Sequence, residues 1–333
     1  MEFNARHGFV AAISMGATRT RVAVADLRGE RLAHRVLPNP AGLGPEPLLT
    51  HLAEATLALL KEAGVRRERL LAAAAGAPGA VDRAHGVVMA LAPNLKGWSN
   101  VPMAAILERV LGVPAVVEND VNLAVVGEHW RGVAQGHETC VFIHVGSGIG
   151  AGVLVGGDLH RGHHSFAGEI GLMSMGIEHL RRDYGARGCL ETLASLKGAA
   201  ERWAPAQDGE RRGWVAALFE AAASGDRKAQ AAIEETASLL GIAVANLSLV
   251  LDPSLVVLAG ALFDQGGDFA GVIRRVVRRV VPSPPEIVVS ALGNEAALWG
   301  SVLVATSEAR LRLRHNLGRH DGGRRPRGQV ENV

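Results

Sequence analysis

Hydrophobic residues alternate with polar ones, or run unbroken over short distances, in a way that sorts the chain into strands and helices. Phe9 to Ile13 and Thr20 to Asp26 are β-rich runs, and Ser14-Met15-Gly16-Ala17-Thr18 between them predicts a hairpin with a glycine-bearing turn. Val36 to Pro38 adds a third strand after the turn at Arg28-Gly29. From Pro47 to Ala63 the apolar positions Leu48, Leu49, Leu52, Ala55, Leu59 and Leu60 follow the helical period, which stops at Gly64. A buried strand, Leu70 to Ala75, ends at Gly76-Ala77-Pro78-Gly79; a helix, Ala104 to Leu111, and another strand, Ala115 to Glu118, come next.

After Asp120 the order starts again. A helix is predicted from Asn122 to Arg131, strands at Thr139 to Val145 and Ala151 to Val155, and a long helical region from Leu190 to Leu251. A strand, Glu286 to Ser290, and a helix from Glu295 to about Arg314 finish the pattern, and the charged, glycine-bearing stretch Trp203 to Gly213 reads as a surface loop. Two strand-hairpin-then-helix halves imply two related lobes around a cleft. The expected division is residues 1–120 as the N-terminal lobe, completed by the helix at 295–315, then 121–294 as a larger C-terminal lobe.

Composition changes this picture little. At 333 residues and 48% hydrophobic content the chain has enough apolar surface for packed cores. The net charge of +2 is unevenly placed, because seven arginines fall from Arg310 to Arg327. Residues 316–333 therefore read as a flexible basic tail, with nucleic-acid or partner contact as the other reading. Two cysteines, Cys140 and Cys189, leave no disulfide framework and fit a reducing compartment. With no secretory pattern at the start and no run of about 18 apolar residues, a cytoplasmic protein without a membrane segment is expected.

Candidate chemistry centres on two segments. Gly146-Ser147-Gly148-Ile149-Gly150-Ala151-Gly152 follows a buried strand, and its glycines let backbone N–H groups approach an anion. It also matches a loose dinucleotide fingerprint, but that motif requires a helix next. Val153-Leu154-Val155-Gly156-Gly157 follows instead, so a hairpin is predicted, holding a phosphate or simply turning the chain. Asp120 sits where a strand meets a helix, placed either to point into the cleft or to cap the helix.

The segments Gly76-Ala77-Pro78-Gly79, Pro93-Asn94-Leu95-Lys96-Gly97-Trp98, Glu118-Asn119-Asp120-Val121-Asn122, Gly146 to Gly152, Arg161-Gly162, Ala167-Gly168-Glu169-Ile170-Gly171, Gly188-Cys189-Leu190-Glu191 and Leu251-Asp252-Pro253 follow one another as in the ROK family of bacterial sugar kinases and sugar-responsive repressors, and the resemblance covers residues 8 to 305. It implies the actin/hexokinase-like (ribonuclease H-like) duplicated α/β fold. Asp120 is implied as the general base that takes a proton from the attacking sugar hydroxyl. Asn94, Asn119, Asp120, Glu169 and Glu191 are implied as sugar contacts, although Pro93-Asn94 also suits a turn. Gly16, Thr18, Gly146, Ser147, Gly148, Gly150 and Gly260 are implied on the phosphate and nucleotide side.

Three departures qualify the resemblance. The family's kinases carry D-x-G-G-T in the first hairpin, whereas this chain has Ser14-Met15-Gly16-Ala17-Thr18, so the carboxylate that organises magnesium and ATP phosphates is missing. The family's zinc site uses a His and a C-x-C-x4-C run; the matching positions are Leu172, Arg182, Tyr184 and Cys189, so no zinc is expected. The glycine triplet after Val256-Val257-Leu258 is Ala259-Gly260-Ala261. ATP and magnesium are thus expected to bind weakly at best.

Glu2 to Gly8 and Gly16 to Leu27 resemble the repressor branch. The expectation is the sugar-sensing core of a transcriptional regulator, separated from its DNA-binding domain or begun at a late start codon, that binds a sugar or sugar phosphate as a homodimer and meets DNA only through a module absent from this chain. The alternative is an ATP-dependent hexose or N-acetylhexosamine kinase.

Overall fold

The computed structural model describes residues 4–16, 18–40, 42–90, 97–204, 213–265 and 267–321. Its first half runs β1 (Phe9–Met15), β2 (Arg19–Asp26), β3 (Arg31–Pro38), α1 (Pro45–Glu62), β4 (Leu70–Ala77), β5 (Ala80–Asp82), β6 (Val87–Ala90), α2 (Met103–Leu111) and β7 (Ala115–Asn119). The second runs α3 (Asp120–Arg131), β8 (Cys140–Val145), β9 (Ile149–Val155), β10 (Asp158–Leu159), α4 (Cys189–Ala194), α5 (Leu196–Trp203), α6 (Trp214–Ala223), α7 (Arg227–Leu251), β11 (Leu255–Ala259), α8 (Phe269–Val280), β12 (Glu286–Val289) and α9 (Ala296–Asp321).

Two five-stranded sheets share one topology. The first has the order β3-β2-β1-β4-β7 and the second β10-β9-β8-β11-β12. In each, an antiparallel meander is extended by two parallel strands. This is the duplicated actin/hexokinase-like fold.

The period of two along a strand decides what each face meets. On β1, Phe9, Ala11 and Ile13 face a core shared with Leu49 and Leu52 of α1 and Leu107 of α2. Val10 and Ala12 face the other way, under Leu298, Val302 and Ala305 of α9. The last helix of the chain thus covers one face of the first sheet, and Ser301 Oγ of α9 donates to the Ile13 carbonyl at 3.1 Å. The second sheet repeats the arrangement: Val141 and Ile143 of β8 pack against Leu240 and Val244 of α7 and Ile273 of α8, while Phe142 lies under Ala124 and Val125 of α3.

Helices α3 and α9 therefore sit back to back between the sheets, and glycine sets their separation. A Cβ on Gly127 would lie 2.0 Å from the Ala296 carbonyl oxygen, and one on Gly300 would lie 1.9 Å from that of Leu123.

Several boundaries differ from expectation. β1 extends through Met15 because Ser14 and Met15 pair with Arg21 and Thr20. Helix α3 starts at Asp120, two residues early, with Asn119 as its cap. The region Leu190 to Leu251 is four helices, broken at Ser195, near Trp203 and at Ser224-Gly225. The β5–β6 hairpin and α8 have no counterpart in the sequence reading. Helix α9 continues past Arg314 to Asp321, into the stretch expected as a tail, of which 322–333 lie outside the described residues, as do 205–212 of the expected surface loop.

Candidate functional site

The polar residues gather where strands run out from under their helices. On β1 the row Val10, Ala12 ends in Ser14; on β2 the row Ala25, Ala23 ends in Arg21 and Arg19; on β8 the row Cys140, Phe142 ends in His144. These strand ends open into a cavity of about 460 Å³ between the sheets. Gly76 on β4 carries no side chain at that level, where a Cβ would meet Leu123 at 2.9 Å, and this lets the start of α3 approach.

Asp120, the first residue of α3, lines the cavity. The helix is capped by its neighbour: Asn119 Oδ1 accepts from the N–H groups of Val121 and Asn122, both at 2.9 Å, and Asn119 Nδ2 donates to Gly79 O at 3.0 Å. Asn119 faces the cavity, but its amide oxygen and amide nitrogen are thus already engaged. The cap of α3 is Asn119, and the Asp120 carboxylate accepts from the Val121 N–H at 3.0 Å.

Glu169 and Glu191 line the same cavity. Gly168, at φ 91°, lies so close to Ala151 O that a Cβ would be 1.9 Å from it, and this seats Glu169 beside β9. Glu191 Oε2 accepts from the Ile149 N–H at 3.0 Å, tying α4 to the β8–β9 turn. Burial pushes the Asp120 carboxyl up to about 7, and the Glu169 charge adds to the effect. Glu169 is also raised to about 7, by burial and then by the Glu191 charge. Burial raises Glu191 as well, opposed by its hydrogen bond from Ile149 and by Arg187. Three carboxyl groups that resist being charged together make a surface able to donate as well as accept hydrogen bonds near neutral pH.

Of the other expected residues, Gly16, Thr18, Gly146, Ser147, Gly148 and Gly150 all line the cavity. The segment after Gly146 is strand β9, so the hairpin expectation holds and the dinucleotide motif is excluded. Gly260 is not among the residues lining the cavity, although the next residue, Ala261, is; at φ 101° its Cα lies against Val145, where a Cβ would be 2.4 Å from the carbonyl oxygen, just beyond the Ala259–His144 pairing of β11 with β8. Asn94 lies outside the described residues.

Sequence reasoning assigned no site role to Asn39, Glu118, Arg161, Arg19 or Arg21. Asn39 staples the first hairpin, donating from Nδ2 to Gly16 O (2.7 Å) and accepting from Thr20 Oγ1 (2.7 Å), while its N–H donates to Thr18 O (2.9 Å). No local motif marks it, since the contact spans the β2–β3 meander. Glu118, buried on β7, receives Arg161 Nε at 2.7 Å, Asn122 Nδ2 at 3.1 Å and the Asn119 N–H at 3.0 Å. Arg161 follows β10, so this ion pair joins the two sheets at the rim of the cavity. Arg19 and Arg21 line the cavity from β2, one residue after the quoted hairpin and beyond.

The positions compared with a zinc site hold a different cluster. Tyr184 Oη lies 2.5 Å from His179 Nδ1 and within hydrogen-bonding reach of buried Cys189, and the Arg182 guanidinium stacks 5.1 Å from the Tyr184 ring centre. One thiol in this company does not fit a four-coordinate zinc, and among the described residues no group of three His, Cys, Asp or Glu side chains is placed to hold a metal.

Proteins similar to this chain include both repressors and sugar kinases. A xylose repressor from Caldicellulosiruptor bescii is 27% identical over 92% of this chain and 80% of its own length. A glucokinase from Streptomyces coelicolor is 30% identical over 90% of this chain and 98% of its own. A ROK family glucokinase from Streptomyces griseus, solved in complex with glucose and AMPPNP, superposes with a TM-score of 0.75 at 29% identity, over 90% of this chain and 100% of that one. The sequence profile of the ROK family matches residues 10–308, from the first strand of one sheet to the helix that closes it, and the chain belongs to that family.

Proposed function

We propose that the cleft binds a hexose or an N-acetylated hexosamine, and that this chain is the sugar-sensing core of a transcriptional regulator in which phosphoryl transfer is impaired. The observation that carries the reading is the asymmetry of the cavity. Asp120, Glu169 and Glu191 are grouped at one end, suited to the paired donor and acceptor character of ring hydroxyls, while the first hairpin presents the Ser14 hydroxyl where a metal-organising carboxylate would be needed. Phosphoryl transfer depends chiefly on positioned metal and phosphates, so this end does not fit Mg·ATP. In this reading the chain acts in the cytoplasm as a homodimer and reaches DNA through a separate module, and similarity to the xylose repressor supports it.

One observation favours the kinase reading. Asp120, with its carboxyl raised to about 7, is suited to take a proton from a sugar hydroxyl near neutral pH, and the glucokinase relative supports that role. A coupled ATP assay with excess magnesium separates the two. Binding of glucose or N-acetylmannosamine by calorimetry is expected without turnover. Turnover at or above roughly 1 s⁻¹, the low end for kinases, would reject the regulator reading.

A further inference from the structure

Helix α9 is apolar on two sides. One side, with Leu298, Val302, Ala305 and Ala309, is buried on the first sheet. The other, with Leu303, Val304 and Leu311, overhangs the edge of that sheet, where β7 is the last strand in the order and, among the described residues, pairs with β4 alone. These three side chains, with Val116 of β7 and Val126 of α3, floor a groove of about 580 Å³ that shares no lining residue with the inter-sheet cavity. Pockets that hold small organic molecules span roughly 300–1,000 Å³, so the groove is of ligand size. Leu311 is 52% exposed, and Val116 and Val304 are only partly buried.

The ionic groups of the groove are mostly cationic. Arg83, Arg310 and Arg314 line it against one carboxylate, Glu308, which Arg312 engages at 2.6 Å. Arg310 is committed to the fold, donating from Nε to the Leu27 carbonyl at 3.0 Å. Arg83 lies 4.0 Å from Glu118, but that carboxylate already receives Arg161 Nε at 2.7 Å, so two guanidinium groups share one negative charge. Arg314 is exposed and, among the described residues, has no acidic partner. A neutral apolar molecule would cover the floor and leave this charge unmatched. A small anion would match the charge and leave the floor in water.

We infer that the groove binds a small amphiphilic carboxylate, its hydrocarbon body along Val116, Leu303, Val304 and Leu311 and its carboxylate on Arg314 and Arg83. Burial of the body supplies affinity in proportion to the apolar area removed from water, and a guanidinium fork donates to both carboxylate oxygens at once. Val126 adjoins Gly127, and Leu303 lies one turn beyond Gly300, so the occupant rests on the crossing of α3 and α9. The inference goes beyond the sugar reading of the cleft and stands apart from it.

The test is calorimetry on the full chain with octanoate, 1-octanol and acetate. Octanoate is expected to bind with a Kd below about 1 mM, and the other two at least about ten-fold more weakly. Arg314→Gln, Arg83→Gln and Leu311→Gln should each weaken octanoate by about five-fold or more, with circular dichroism reporting that each variant is folded. Asp120→Asn, in the other cavity, should leave the affinity within about two-fold. Equal affinity for octanol and octanoate, binding that survives in both arginine variants, or a larger change in Asp120→Asn would overturn the inference. So would the absence of saturable binding up to about 10 mM; if Leu311→Glu then converts a dimer to a monomer in sedimentation, the groove belongs to a second copy of the chain. Failure of sugars to bind would reject the reading of the cleft and leave this one standing.

Discussion

Replacing Asp120 by Asn should stabilise the unliganded protein, and by more at high pH than at low. The carboxyl titrates at about 7 in the fold against an ordinary value near 3.8, because burial and the Glu169 charge oppose its ionisation. A group whose folded value is raised contributes stability that is complete below the unfolded value and is lost as pH rises through the folded one. At about 1.4 kcal/mol per ten-fold change in proton affinity, the loss is about 2 kcal/mol at pH 5 and about 4 kcal/mol at pH 8. Asparagine pays neither. It also forgoes the carboxylate's favourable place at a helix N-terminus, worth about 0.3–1 kcal/mol wherever the group is charged. The gap between variant and wild type should therefore widen by about 2 kcal/mol from pH 5 to pH 8. Thermal unfolding of both proteins across that range measures it, with a widening on the order of 5 °C expected. A gap that stays constant, or narrows with rising pH, would refute the account of Asp120 as a buried, reluctantly charged group.

Gly300→Ala forces a methyl group to within 1.9 Å of the Leu123 carbonyl oxygen, so α3 and α9 must separate. A loss of about 1–3 kcal/mol is expected by denaturant unfolding, with weaker sugar binding because α3 carries Asp120. A neutral result would mean that the helix crossing is not close-packed. Protein purified without added metal should contain far less than one zinc per chain by elemental analysis, and EDTA should leave its melting temperature unchanged, since Tyr184, His179, Arg182 and Cys189 hold the α4 approach without a metal. A stoichiometric zinc would contradict that cluster.

The strands and long helices were legible because their apolar periods are regular: Leu48, Leu49, Leu52 and Leu59 of α1 are all buried, as are the inward residues of β1 and β8. The duplication was legible for the same reason, and the two sheets carry it strand for strand. What escaped was set by distant partners. Helix α8 buries Phe269, Ile273 and Val277 at intervals of four, but Arg274, Arg275, Arg278 and Arg279 dominate its composition and mask the stripe. Asn119 reads as a ligand contact in a motif, and its further bonds, to two helix N–H groups and the Gly79 carbonyl, are not visible there. Gly260 reads as a phosphate-loop glycine, and its close approach to Val145, which also requires a glycine, is set by a strand over a hundred residues earlier. No motif singles out Arg21, and only the register places it opposite Ser14.

The covering of the first sheet by α9 fixes when, during synthesis, that sheet can finish folding. Strands β1, β2 and β4 are complete by Ala77, but Val10, Ala12, Ala23, Ala72 and Ala74 lack the helix that covers most of their outer face until Leu298 to Ala309 emerge. At roughly 5–20 residues per second, the ribosome needs about 10–50 s to make the intervening chain. For that interval an alanine- and valine-rich face is bare, and the second sheet, whose strands β8 and β9 are covered by α3, made just before them, can begin to assemble first. Folding order would then invert sequence order, and the last helix would close both the first sheet and the cleft in one step. Truncation within α9 should accordingly cost solubility of the whole chain during translation, well before it costs any residue of the binding cavity.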